Sequence, residues 1–80
     1  MPDFKSLEEV ADYLKANGFE DVEINKSDGR KELIVDKMWT TATVYKEHSQ
    51  WTIDVQYDQM ADYFYADDLQ GVVSIINQEL

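Results

Sequence analysis

Five aspartates, Asp54, Asp58, Asp62, Asp67 and Asp68, lie in a stretch that also holds Tyr57, Tyr63, Phe64 and Tyr65 and contains no Lys or Arg. Carboxylates held on a rigid face can enter the basic groove of a nucleic-acid-binding protein, with the long-range steering and salt sensitivity that DNA itself has. Aromatic side chains supply the apolar anchors such an interface needs. The expected partner-binding set is therefore Asp54, Asp58, Asp62, Asp67 and Asp68 with Tyr57, Tyr63 and Tyr65. The bland alternative is that these acids only keep a small domain in solution, with Asp67 and Asp68 capping a helix.

Other chemistry finds less support. Calcium loops place acids at alternate positions, followed by a Gly and a distant Glu, and Asp58-Gln59-Met60-Ala61-Asp62 lacks that pattern, so no metal is expected. The single histidine, His48, adjoins Ser49 in a predicted tight turn, where no third group orients the ring and no pocket excludes water. Asp54 and Asp58 could pair as acid and base, but a two-layer fold of this size offers little cleft in which to raise one pKa. Gly18, Gly29 and Gly71 stand alone, without a phosphate-binding loop. Trp39 and Trp51 are expected to pack in the core or against the sheet, because aromatics carry much of a small domain's burial. The chain is thus expected to be no enzyme and to use no cofactor.

The elements that position these residues follow from capping and periodicity. Ser6-Leu7-Glu8-Glu9 has the form of a capping box, and Leu7, Val10, Ala11 and Leu14 make a stripe ending at Asn17-Gly18, which predicts a helix from Leu7 to Asn17. Phe19 to Lys26 alternates apolar and polar residues, Asp28-Gly29 is a favoured hairpin turn, and Glu32 to Asp36 is the return strand. Asp36-Lys37-Met38 reads as an irregular link or bulge. Trp39 to Lys46 and Trp51 to Asp58 form a second hairpin around Glu47 to Gln50, and Tyr63 to Tyr65 adds a short edge strand or a loop after a turn at Gln59 to Asp62. Asp67 then caps a second helix, with Gln70 in the capping-box position and Leu69, Val72, Val73, Ile76 and Leu80 as its apolar stripe. Gly71 weakens that helix by about 1 kcal/mol and is expected where the backbone comes close to the sheet or another helix.

The expected fold is therefore α+β, with an antiparallel sheet of four to five strands and the N- and C-terminal helices packed on one face. If Trp51, Ile53, Val55 and Tyr57 face the helices, Thr52, Asp54, Gln56 and Asp58 face outward beside Thr41, Thr43 and Tyr45. Eighty residues allow one domain, spanning residues 1 to 80, and 44% apolar content suffices for a core.

Charge and composition bound the partners. The formal charge of −10 comes from 17 acids and 7 bases, and would repel nucleic acid and anionic lipid alike. It is uneven: residues 47 to 80 hold seven acids and no Lys or Arg. The absence of cysteine, of a secretory pattern in Met1 to Lys5 and of any long apolar run leads to a cytoplasmic expectation.

The chain is accordingly expected to be a non-enzymatic macromolecular-binding protein, in one form a DNA-mimic-type inhibitor or regulator of a nucleic-acid-binding protein. Its partner would be a protein with a basic surface. The alternative is a small housekeeping interaction module or homodimer, formed through the apolar seam or a sheet edge. In size and charge the chain is similar to small acidic proteins that imitate DNA, a similarity of composition alone.

Overall fold

A computed structural model describes residues 3 to 80, with only the backbone described at Ser27. The order is α1 (Leu7–Ala16), β1 (Asp21–Ser27), β2 (Arg30–Lys37), β3 (Thr40–Glu47), β4 (Gln50–Tyr57), β5 (Met60–Ala66) and α2 (Leu69–Glu79). The five strands form one antiparallel meander in the order β1-β2-β3-β4-β5. This is the α+β arrangement the sequence predicts, and Tyr63 to Tyr65 lies within a full fifth strand.

Consecutive strands are joined by two-residue turns at Asp28-Gly29, Met38-Trp39, His48-Ser49 and Asp58-Gln59, a ten-residue period. Asp28 and Gly29 both take positive φ, 53° and 77°, as an Asp-Gly hairpin turn favours. Met38 (55°), His48 (53°), Ser49 (67°) and Asp58 (57°) do so without glycine. The expected irregular link at Asp36-Lys37-Met38 is therefore not present: β2 continues through Lys37, and Met38 opens a tight turn. Cross-strand pairing of buried Val35 with Ala42 and Leu33 with Val44 sets this register, overriding the poor turn propensity of Met38 and Trp39. The β4–β5 turn likewise lies at Asp58-Gln59 rather than at Gln59 to Asp62.

The core lies between one face of the sheet and the two helices. Val22, Leu33, Val35, Ala42, Val44, Ile53 and Val55 point to that side and join Leu7, Val10, Ala11 and Leu14 of α1 and Leu69, Val72, Val73 and Ile76 of α2 in one buried cluster. Trp51, Tyr57 and Phe64 pack partly buried at its margin. The helix α1 rests on β1 and β2, α2 rests on β4 and β5, and the helices touch each other, so both lie on one face and leave the other open.

The caps explain where the helices stop. Ser6 Oγ accepts from Glu9 N–H at 3.3 Å, while Glu9 Oε1 accepts from the Lys5 N–H at 3.1 Å, one residue before the position a capping box uses. At the other end the last helical residue is Ala16 and Asn17 is the cap. Gly18, at φ 99°, turns the chain so that Phe19 N–H donates to Leu14 O at 3.0 Å, closing a Schellman motif. For α2 the cap is Asp68, not Asp67: Asp68 Oδ1 accepts from Gly71 N–H at 2.8 Å. Gly71 thereby occupies the third helical position that Gln70 was expected to fill, because β5 runs to Ala66 and the link is only two residues long. The close approach at Gly71 is real, since a Cβ there would lie 3.0 Å from Ala66 Cβ. No helix is long and apolar enough to cross a membrane among the described residues.

Candidate functional site

Strand alternation sends every second residue to the open side of the sheet, and the pairings align these residues in rows across the strands. One row runs Asp21, Asp36, Thr41, Gln56, Ala61; the next Glu23, Ile34, Thr43, Asp54, Tyr63; and a third places Tyr45, Thr52 and Tyr65 side by side with Asn25 and Glu32 on the adjoining strands. With Glu47 in the following row, the open face carries six carboxylates, from Asp21, Glu23, Glu32, Asp36, Glu47 and Asp54.

The cations are sorted the other way. Lys26, Lys31, Lys37 and Lys46 have the parity of the core residues and lie on the helix side, where Asp62 is the sole strand carboxylate. Several are held there: Lys31 Nζ pairs with Glu8 of α1 at 2.5 Å, Lys37 Nζ lies 4.9 Å from the Phe19 ring centre, and Lys46 Nζ lies 5.5 Å from that of Trp51. The Lys31 ammonium lowers the Glu8 pKa below its ordinary 4.5. Among the described residues Arg30 is the one strand cation on the open face, and it is occupied: it pairs with Glu32 at 2.9 Å and Glu47 at 3.9 Å, and its guanidinium stacks 4.4 Å from the Tyr45 ring centre.

The open face also has an aromatic ridge. Thr52, between Tyr45 and Tyr65 in its row, is buried although it lies on the solvent side, while Tyr63 and Tyr65 are 56% and 59% exposed. Desolvation raises the Tyr45 pKa above 10.0, and the Glu47 and Asp54 carboxylates push it the same way against Arg30. Asp54 sits at the centre: one oxygen accepts from Gln56 Nε2 at 3.4 Å and the other is buried without a partner among the described residues. Thr41 donates to Asp36 within the neighbouring row.

Of the residues singled out in the sequence, the structure gathers Asp54, Tyr63 and Tyr65 on this face. It turns Tyr57 and Asp62 to the helix side, where the Tyr57 hydroxyl donates to Asp62 Oδ2 at 2.5 Å and that bond raises the Tyr57 pKa. Asp58, expected to face outward from a strand, occupies the β4–β5 turn at positive φ, and Asp67 and Asp68 lie beyond the sheet in the link to α2. The face draws instead on acids of β1 and β2, which strand parity could have found once the register was known.

Trp39 departs most from expectation. It is 86% exposed, and beside it Met38 is 89% exposed, so together they form an apolar tip on the β2–β3 hairpin rather than part of the core. Trp51 does pack against the core. Met60, 62% exposed, opens β5 at the same end of the sheet, because Thr40 and Met60 both pair with Tyr57. Among the described residues, no group of three or more His, Asp or Glu side chains comes together as a metal site.

The fold and face together describe a five-stranded meander with its acids and lysines on opposite sides. No known family model, curated protein or solved structure matches the chain.

Proposed function

We propose that the chain is a non-enzymatic binding protein whose open sheet face docks on a basic surface of another protein, and that the surface is one built to hold nucleic acid. The observation that carries this reading is the sorting of charge across the sheet: six carboxylates on the open side against four lysines on the other. Simple solubilisation needs charge on the surface but gives no reason to part the signs by face.

The spacing supports the nucleic-acid form of the reading. Alternate residues on a strand are about 7 Å apart and neighbouring strands about 4.8 Å apart. Face carboxylates on this grid lie within about one or two Debye lengths of each other and act as one field at physiological salt. A duplex about 20 Å long carries about 12 phosphates, roughly half of them on any one side, which is comparable to the six carboxylates of this face. Tyr63, Tyr65 and the Trp39 tip supply the apolar anchors that turn electrostatic encounter into a lasting complex.

Immobilised protein tests this by capturing cell proteins at about 50 mM salt and eluting with duplex DNA. The reading expects basic, nucleic-acid-binding partners that DNA displaces. Partners that are neutral or acidic, or that stay bound through DNA elution, would refute it.

The β5 edge favours a second reading, as a homodimer. Its strand is unpaired along one side and carries exposed Met60, Tyr63 and Tyr65 with few charges, features that invite strand pairing between copies. Sedimentation showing a dimer that persists on dilution supports this reading, and a monomer at all concentrations removes it.

A further inference from the structure

Two cavities on the molecule carry opposite charge. One, of about 210 Å³, is lined by Glu20, Asp21, Glu23 and Asp36 around Val22, with no cation. The other, of about 360 Å³, lies where the β1–β2 turn meets the start of α1 and contains no carboxylate among its lining residues. Lys5, Gly29, Arg30, Lys31, Lys46 and Trp51 surround it. Three lysines, Lys5, Lys31 and Lys46, thus border a single concavity of a chain with net charge −10, while the Arg30 guanidinium is turned to the open face.

We infer that this cavity binds a small organic phosphate of mononucleotide size, with the phosphate among Lys5, Lys31 and Lys46 and a flat ring against Trp51. Its volume is within the range of sites that hold small molecules, about 300 to 1,000 Å³. Two of its cations are available. Among the described residues, Lys5 and Lys46 make no ion pair, whereas Lys31 is held by Glu8 and Arg30 by Glu32 and Glu47. Lys46 already lies over the Trp51 ring, 5.5 Å from its centre, so the indole and the ammonium address the same space. A bound phosphate draws Lys46 off the ring and leaves that face to a base or other flat group.

The net charge does not prevent this. Screening over about 8 Å at physiological salt confines the repulsion from the distant acidic face, and although Glu8 neutralises Lys31 and Glu9 lies beside the Lys5 amide, Lys5 and Lys46 leave the cavity wall with unpaired positive charge among the described residues. At the start of α1 the Glu9 amide is already taken by Ser6 Oγ, and the Lys5 amide by the Glu9 carboxylate. This site is separate from the open face and is independent of the partner proposed for it.

The test uses the full chain carrying Trp39→Phe, which leaves Trp51 as the sole tryptophan reporter. Titration with AMP is expected to change Trp51 fluorescence saturably, inorganic phosphate to compete, and adenosine at equal concentration to give no saturable change. Lys46→Gln and Lys5→Gln are each expected to weaken AMP binding by about five-fold or more, as loss of a charged hydrogen bond does. Lys15→Gln, at the far end of α1 from the cavity, leaves it unchanged. Absence of saturable AMP binding, adenosine binding as well as AMP, or unchanged affinity in both cavity variants would overturn the assignment.

Discussion

Replacing Gly71 with alanine sets helix propensity against packing. In an exposed helix interior this change stabilises by about 0.8 to 1 kcal/mol, because glycine gives up the most backbone freedom on folding. At this position the new Cβ lies 3.0 Å from Ala66 Cβ and 3.3 Å from Asp68 Oδ1. Carbon atoms prefer about 3.5 to 4.0 Å, and Ala66 Cβ is fixed to its backbone and cannot swing aside. Overpacking of this kind costs about 1 to 3 kcal/mol. Moving α2 away to relieve it also strains the Asp68 cap, which accepts from the Gly71 amide itself at 2.8 Å. The balance is destabilisation by about 1 kcal/mol, opposite in sign to the propensity effect. Urea unfolding followed by circular dichroism measures it, with Ser74→Ala on the exposed side of the same helix as a control that gains stability slightly. Adding Ala66→Gly to Gly71→Ala should recover part of the loss. If Gly71→Ala alone stabilises the chain by the full propensity term, the close contact between α2 and the end of β5 is wrong.

Three further outcomes can be checked in the same way. Asp68→Ala lowers stability by about 1 kcal/mol through loss of the helix cap, whereas Asp67→Ala has little effect, and the reverse order in urea midpoints would contradict the cap assignment. Met38→Asn stabilises by about 0.5 to 1 kcal/mol, because asparagine tolerates φ 55° better and an 89% exposed methionine loses no packing; an unchanged or lower midpoint would count against the turn. The folded-state pKa values of Tyr45 and Tyr57 lie above 10.0, so the folded chain keeps protons that the unfolded chain releases. Their contribution is complete below about pH 10 and is lost as pH rises through the folded values, so urea midpoints should fall on going from about pH 8 to about pH 10.5. The fall should be smaller in Tyr57→Phe, and an equal fall in that variant would exclude the Asp62 bond as its source.

Much of this fold is legible in the residues. The stripes of α1 and α2, the Asp28-Gly29 turn and the alternation from Trp51 to Tyr57 specify the helices, the first hairpin and the buried face of β4. The second hairpin around Glu47 to Gln50 is legible too, and turns at His48-Ser49, whereas the turns at Met38-Trp39 and Asp58-Gln59 are not: neither has glycine, and the pairing of residues on either side fixes their positions. Trp39 reads as core for the same reason: moving the turn by one residue takes an indole from a strand to a tip.

The candidate face shows the limit more clearly. Read along the chain, the charge asymmetry lies in residues 47 to 80, which lack Lys and Arg. In the sheet it runs across the strands instead, with Lys26, Lys31, Lys37 and Lys46 on one side and Asp21, Glu23, Glu32, Asp36, Glu47 and Asp54 on the other. A period of two means that charge within one strand divides between faces, so a sum over sequence mixes two surfaces that the fold separates. Thus Asp62 and Asp54 are close in sequence yet lie on opposite sides of the sheet, while Asp36 and Asp54 share a face from different hairpins.

The face assignment is tested most directly by two triple variants that change net charge equally. Glu23→Gln, Asp36→Asn and Asp54→Asn remove three of the six carboxylates of the open face, and Asp12→Asn, Asp67→Asn and Glu79→Gln remove three exposed acids outside the sheet. Binding to a DNA-displaceable partner is measured for each between about 50 mM and about 200 mM salt. The face variant is expected to lose affinity by about ten-fold or more at the lower salt and to show a shallower salt dependence, while the control binds as the parent chain does. Equal losses in the two variants would mean that total charge, and not this face, drives binding.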